Sequence, residues 1–404
     1  MKLKIYNDDN TINEYIIEKD KFFNKDLENK VSYISSNSKE QNIIKMLKSY
    51  FSGAKSMLFD HSNKALLNEI KELNIKEFDE YHDKNNIFYK KDFSFLYFTS
   101  GSTGFPTAAL KTQSNISSEI EDLTSLFKDY KINKVIVTVP FIHIYGSLFG
   151  LFYPLQHNID IIVKEHFLPN DLIDLIDNYS LVITTPLYIK ALNKISYKKD
   201  LKNSIFVSST APLLSDDAKE FQEKFNSNII QIFGSTETGG IAYKYNDESL
   251  WTPLKSVKIS TNEKGELKVK SPYISDTIYE KGFKKTNQEI QTFDFVELIN
   301  NQFKLIGRSS QILKIAGKRY STIQIEDILE RVEGINKALV LVKIDNSSLR
   351  GEFLDITLET NKNFLLKDIQ SILQNELSNL KFDINLKIVD KIKTSSTGKK
   401  LAIQ

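Results

Sequence analysis

Short apolar runs recur along the middle of the chain, at Phe93–Phe98, Val135–Val139, Ile159–Val163, Leu181–Thr184, Ile205–Val207 and Ile229–Phe233, with helical patterns between them. Ile116, Ile120, Leu123 and Phe127 share one helix face, and Asn170–Asn178 and Ser215–Phe225 also have helical spacing. Strands that alternate with helices predict an α/β fold built on an open, largely parallel sheet, which binds ligands at the carboxyl ends of its strands. Upstream, residues 1–90 predict a mixed α/β region with helices over Ser38–Tyr50 and Asn63–Leu73. Downstream, short strands at Ser256–Ile259, Glu266–Val269 and Phe303–Ile306 predict a small β-rich subdomain. After Arg308 comes a compact α+β pattern: helices over Ile323–Val332 and Leu365–Leu377, strands at Ala338–Val342, Leu354–Leu358 and Asn385–Val389.

At 404 residues the chain exceeds what one hydrophobic core ordinarily supports. The expected division is a large domain over 1–308, with a reduced N-terminal subdomain over 1–90, and a small mobile domain over 309–404. A net charge of +2 from intermixed acids and bases gives no electrostatic case for nucleic acid or an anionic membrane. The absence of cysteine excludes thiolate nucleophiles, disulfides and cysteine-ligated metals. The N-terminus lacks the apolar run of a signal peptide, and no stretch approaches the ~20 apolar residues of a membrane span. A cytoplasmic location is the expectation.

The strongest local signal is Thr99-Ser100-Gly101-Ser102-Thr103-Gly104, between an apolar strand and a helix. Glycines let backbone approach a phosphate chain, and hydroxyls with backbone N–H groups donate to its oxygens. A polar turn has a similar composition, so the loop alone does not decide. It lacks the Gly-Lys-Ser/Thr ending of a Walker A loop.

The string resembles the phosphate loop of the adenylate-forming superfamily, which comprises AMP-dependent acyl-CoA synthetases, peptide-synthetase adenylation domains and luciferases. It keeps that loop from Thr99 to Gly104, with Pro106 in place, and departs at Thr107 and Ala108, where the family usually has Lys and Gly. Lys111 is the nearby cation that could replace the missing lysine. Further motifs follow in the family's order. Gly234-Ser235-Thr236-Glu237 resembles the G-x-T-E motif; the resemblance implies that Thr236 contacts the AMP phosphate and Glu237 holds Mg2+, with Gly234 beside the substrate. Thr292-Phe293-Asp294 resembles T-G-D, with Phe293 for glycine, and implies that Asp294 binds the ribose hydroxyls; an isolated Asp between strands is otherwise a turn residue. Gly307-Arg308-Ser309-Ser310 resembles the interdomain motif, which makes Arg308 a ribose or phosphate contact and Ser310 the hinge. The segment around Gly317 then faces the site during thioester formation. Lys393 to Lys399 resembles the C-terminal motif whose last lysine stabilises charge at the α-phosphate, so Lys399 is the expected catalytic residue.

Pro140 to Gly146 resembles the segment whose aromatic or His gates the acid-binding tunnel, which places His143 beside the substrate. Amino-acid-activating relatives carry an Asp near here; none is present, so an acid without a free α-amine is favoured. Ser209-Thr210-Ala211-Pro212-Leu213 matches the segment that flanks adenine and the acyl group, with Thr210 toward the nucleotide and Ser209 toward the acid. Their bulk suits a small or flat acid, and the family resemblance implies a place in fatty or aryl acid metabolism. The implied cofactors are ATP and Mg2+, with CoA or carrier-protein phosphopantetheine as acceptor, and the implied activity is AMP-forming acid–thiol ligation. The resemblance runs from about residue 93 onward. An impaired nucleotide- or acyl-binding relative, or an adenylating enzyme with a non-thiol acceptor, are the competing expectations.

Overall fold

The computed structural model describes residues 1–9, 11–80, 86–98, 107–308, 312–315, 318–344, 352–377, 383–394, 400 and 401. The chain divides into two compact units, residues 1–259 with 269–290, and 260–268 with 291–404. The phosphate-loop residues 99–104, the hinge candidate Ser310, Gly317 and the catalytic candidate Lys399 lie outside the described residues.

In the first unit the alternating pattern resolves into two sheets. The larger has nine strands. Its parallel centre runs Asn228–Ser235, Ile205–Ser208, Ser180–Thr184, Lys134–Val137, Asp160–Lys164 and Lys2–Tyr6. Antiparallel strands close both edges: Gly239–Tyr245 and Thr252–Pro253 on one side, Ile12–Ile16 on the other. The seven-stranded second sheet places Phe95–Phe98 between Lys55–Leu58 (parallel) and Ala108–Lys111 (antiparallel).

Strands Ser180–Thr184 and Ile205–Ser208 are buried along their whole length, because both faces of the sheet are covered. Successive side chains serve opposite cores. Val135, Val137, Leu181 and Ile183 pack with Ile116, Ile120, Leu123 and Phe127 of helix Gln113–Phe127 and with Ile43 and Met46 of helix Lys39–Ser52. Ile136, Val182 and Phe206 pack instead with Leu172, Ile189, Phe221 and Phe225 of the helices on the other face. Each such side chain contributes about 1.5–3 kcal/mol by leaving water.

Helix Lys39–Ser52 is fastened to the large sheet by charge. The Glu165 carboxylate, just past strand Asp160–Lys164, accepts from the Lys39 and Glu40 N–H groups (2.9 and 3.1 Å) and from Ser38 Oγ (2.7 Å), a favourable place for an anion. Lys39 Nζ donates to the carbonyls of Thr138 (3.1 Å) and Lys164 (2.9 Å). Burial pushes this ammonium from its ordinary 10.5 down to about 8, against the pull of Glu165. Between those pH values the unfolded chain holds the proton and the folded protein does not, so stability rises with pH there. A stabilisation present above pH 10.5 is thus lost as pH falls through about 8. The stability difference between wild type and Lys39→Met, which cannot titrate, is expected to move toward wild type by about 3 kcal/mol over this interval, as urea unfolding would measure.

The second unit holds a four-stranded sheet, Lys258–Thr261, Glu266–Lys270, Glu289–Ile299 and Gln302–Arg308, and the hairpin Ile312–Ile315/Lys318–Ser321. It continues with helix Thr322–Glu330, then a three-stranded sheet and helix Leu366–Leu377. Ile325 and Leu329 of the first helix and Ile369 and Leu373 of the second pack on Val340, Leu354 and Ile356.

Candidate active site

In the first unit the strands that carry the motifs deliver them at their carboxyl ends. Lys134–Val137 leads into Pro140–Gly146, Ile205–Ser208 into Ser209 and Thr210, and Asn228–Ser235 into Thr236 and Glu237. Phe95–Phe98 leads into the glycine-rich segment.

The turn after Asn228–Ser235 is braced from within. Ser235 N–H donates to Thr238 Oγ1 (3.0 Å), Thr238 N–H donates back to Ser235 Oγ (3.1 Å), and Thr238 Oγ1 donates to the Gly239 carbonyl (2.9 Å). Thr236 and Glu237 are left half-buried at the tip. The strand bulges between Phe233 and Gly234. A Cβ on Gly234 would lie 2.2 Å from the Gly239 carbonyl oxygen, a clash with backbone that cannot swing aside. Gly234→Ala is therefore expected to cost about 1–3 kcal/mol and lower the melting temperature by several degrees.

Over the neighbouring strand ends, the Tyr145 hydroxyl reaches the carbonyls of Thr184 (2.9 Å) and Val207 (2.8 Å). Gly146 is needed because a Cβ there would sit 2.1 Å from the Pro140 carbonyl oxygen. These contacts fix the loop that carries His143. His143 as a whole is partly exposed, but its Nε2 is closed off and has no hydrogen-bond partner among the described residues. An unmet buried polar atom costs about 1–3 kcal/mol, so this nitrogen is a ready contact for a polar group that enters. Burial lowers the imidazole's pKa, more than Asp60 raises it, which makes it neutral near pH 7. Ser209 Oγ donates to the Ile232 carbonyl (2.9 Å), which ties two strand ends together. Thr210 has φ +80, a conformation a β-branched residue adopts at a cost of about 1–3 kcal/mol and that clusters at functional sites.

Lys111 does not stand in for the missing phosphate-loop lysine. It is 1% exposed, and its ammonium donates to the Tyr273 carbonyl (2.7 Å) and the Glu237 carbonyl (3.4 Å) inside the protein. Behind the same turn Glu119, 2% exposed, accepts the Gly240 N–H at 2.7 Å. Burial pushes the Glu119 carboxyl up to about 7 and the Lys111 ammonium down to about 8, in each case against the attraction of the other. Sequence reasoning missed Glu119, although one signal was available: it falls between Ile116 and Leu123 on the apolar face of its helix, where an acid needs a partner.

In the second unit Asp294 is not a turn residue. It lies inside strand Glu289–Ile299, buried, and accepts from Arg308 Nε at 2.8 Å. The two residues pair directly across adjacent strands. Asp294 N–H donates to Thr292 Oγ1, which donates to the Leu267 carbonyl. On both sides of Lys399 the chain is anchored: Thr394 pairs with Lys400, and Leu401 N–H donates to the Lys393 carbonyl (2.8 Å). Lys400 Nζ binds Glu326 (2.8 Å), Glu330 (2.7 Å) and the Ala338 carbonyl (2.7 Å).

Among the described residues no group of three or more His, Cys, Asp or Glu could hold a metal. Mg2+ that arrives with ATP takes one or two protein carboxylates and fills its shell with phosphate oxygens and water, a requirement the half-buried Glu237 could meet.

At the carboxyl ends of its parallel strands the first unit thus presents a Thr-Glu turn, a histidine loop and a strained Ser-Thr corner, and a compact α+β region follows in the second unit. The chain belongs to the AMP-binding enzyme family, whose model matches residues 25–275. It is 29% identical over 266 residues to a Staphylococcus haemolyticus protein named as a long chain fatty acid-CoA ligase (VraA), a match that covers 62% of this chain and 56% of that one. The chain thus spans just over half the length of this curated relative. Among solved structures, o-succinylbenzoate CoA synthetase (MenE) of Bacillus subtilis in complex with AMP superposes with a TM-score of 0.75 at 16% identity, over 92% of this chain and 86% of the other. McyG A-PCP complexed with phenylalanyl-adenylate gives 0.77 at 16% identity, over 99% and 90%. These likenesses concern the fold. No described helix is long and apolar enough to cross a membrane.

Proposed function

We propose that the protein activates a carboxylic acid with ATP and transfers the acyl group to a thiol. A carboxylate oxygen attacks the α-phosphorus, the bond to the β-phosphate oxygen breaks, and acyl-AMP and pyrophosphate form. The thiol then attacks the acyl carbonyl, AMP leaves with the bonding pair, and the thiol proton passes to solvent. The observation that carries this reading is the self-braced turn that presents Thr236 and Glu237 at the carboxyl end of a parallel strand. Thr236 is assigned to the α-phosphate, Glu237 to the Mg2+ of ATP, Asp294 and Arg308 to the ribose, Lys399 to charge that develops at the α-phosphorus, and residues 99–104 to the phosphates. Ser310 is the hinge between adenylation and thiolation, and the functional division into 1–308 and 309–404 follows from it.

The acid is one without an α-amine. The neutral His143 Nε2, unpaired among the described residues, supplies a polar contact, and no carboxylate occurs within Pro140–Gly146 to pair with an ammonium. CoA as acceptor is in keeping with the relatives named as CoA ligases, while the neighbour McyG A-PCP makes carrier-protein phosphopantetheine the alternative. Acid-dependent ATP–pyrophosphate exchange over a panel of fatty and aryl acids tests the first half. Exchange with none of them would mean a binding protein rather than a ligase. Addition of CoA or a loaded carrier protein, with mass detection of the thioester, tests the second half. An adenylate formed without thioester would point to a non-thiol acceptor.

A further inference from the structure

We propose that Lys111, together with Glu119, is a positioning residue for Glu237: it couples the strand that leaves the glycine-rich segment to the turn that receives the Mg2+ of ATP. The proposal rests on the adenylation reading above.

Lys111 ends strand Ala108–Lys111, which pairs antiparallel with Phe95–Phe98, and the two strands bracket residues 99–107 in sequence. Its side chain turns inward, donates to the Tyr273 carbonyl at 2.7 Å and reaches the Glu237 backbone carbonyl at 3.4 Å. Glu119, from helix Gln113–Phe127, holds the Gly240 N–H, and its carboxylate lies against Gly239, where a Cβ would be 2.6 Å from Oε2. The Tyr273 hydroxyl donates to the Gly240 carbonyl (3.0 Å) and lies 3.4 Å from Asp122, whose carboxylate accepts Ser256 N–H (2.7 Å) and Oγ (2.8 Å). Backbone groups of 237 and 240 are thus held by side chains from three segments distant in sequence.

Packing alone does not account for this arrangement. Apolar residues would fill the same volume without the desolvation cost of two buried charges. What the charges add is direction, since each hydrogen bond fixes one backbone group of the turn, and the backbone at 237 sets where the Glu237 carboxylate points. Among the described residues that carboxylate has no hydrogen bond of its own, so its aim depends on the turn beneath it.

The test is a Mg2+ titration of ATP binding by calorimetry, alongside pyrophosphate exchange. It uses Lys111→Met and the charge-neutral Lys111→Met/Glu119→Gln, each in wild-type and Glu237→Gln backgrounds. If Lys111 acts through Glu237, the Mg2+ concentration for half-maximal binding rises about ten- to a hundredfold in the wild-type background, the range seen when groups that orient a metal ligand are removed. In the Glu237→Gln background it rises no further. Equal factors in both backgrounds, or an unchanged Mg2+ dependence, overturn the proposal. The double variant decides if Lys111→Met alone fails to fold around its stranded carboxylate, and failure of both to fold makes the pair a folding determinant and also overturns it. A wild type with no Mg2+-dependent ATP binding would instead sink the adenylation reading itself.

Discussion

Lys399→Ala is expected to lower acid-dependent ATP–pyrophosphate exchange by about 10²- to 10³-fold, the cost of removing one preorganised donor from charge that develops in a transition state. The effect should fall on one half-reaction. Attack on the α-phosphorus places extra charge on its oxygens, and a lysine that meets them lowers that barrier only. Transfer of the acyl group from synthetic acyl-AMP to thiol should proceed at close to the wild-type rate. The described residues on either side are tied to the fold: Thr394 and Lys400 pair, and Lys400 is bound to Glu326 and Glu330 of helix Thr322–Glu330. Rapid-quench measurement of each half-reaction checks this, and equal losses in both would remove Lys399 from its assigned role.

The parts of the fold that were legible in the sequence are those where one physical signal dominates. Strands buried on both faces read as apolar runs, which is why five of the six parallel strands of the large sheet stand out in the sequence to within a residue or two. The strands that were missed lack that signal. Ala108–Lys111 holds one large apolar side chain and ends in a buried cation. Gly239–Tyr245 begins with two glycines and is only partly buried at its far end. Lys2–Tyr6 does alternate, with Leu3 and Ile5 inward, but its lysines hide it, and only the structure shows it beside Asp160–Lys164. The same limit applies to the site. The resemblance to the adenylate-forming family singles out Thr236, Glu237, Asp294 and Arg308 as candidates. It could not say that Asp294 and Arg308 meet across two strands, or that Lys111 faces inward, because both depend on strand register.

Glu237→Gln is expected to raise the Mg2+ concentration for half-maximal exchange by about ten- to a hundredfold and to lower the maximal rate as well. Mg2+ keeps most of its shell as water and phosphate oxygen, so one protein carboxylate is a large share of what the protein offers it. Glutamine has the same shape but leaves a neutral oxygen in place of the anion. The turn should survive the change. Its internal bonds run between Ser235, Thr238 and Gly239, and the bond to Lys111 uses the residue 237 carbonyl, which glutamine retains. The melting temperature without nucleotide should therefore stay within about a degree of wild type, as for a surface substitution. The extra stability that Mg2+ and ATP confer should shrink in proportion to the lost affinity. Thermal shift assays with ATP across a Mg2+ series separate the two effects. A variant whose melting temperature falls without nucleotide, while its Mg2+ dependence is unchanged, would make Glu237 a structural residue and leave the metal's carboxylate to be found elsewhere.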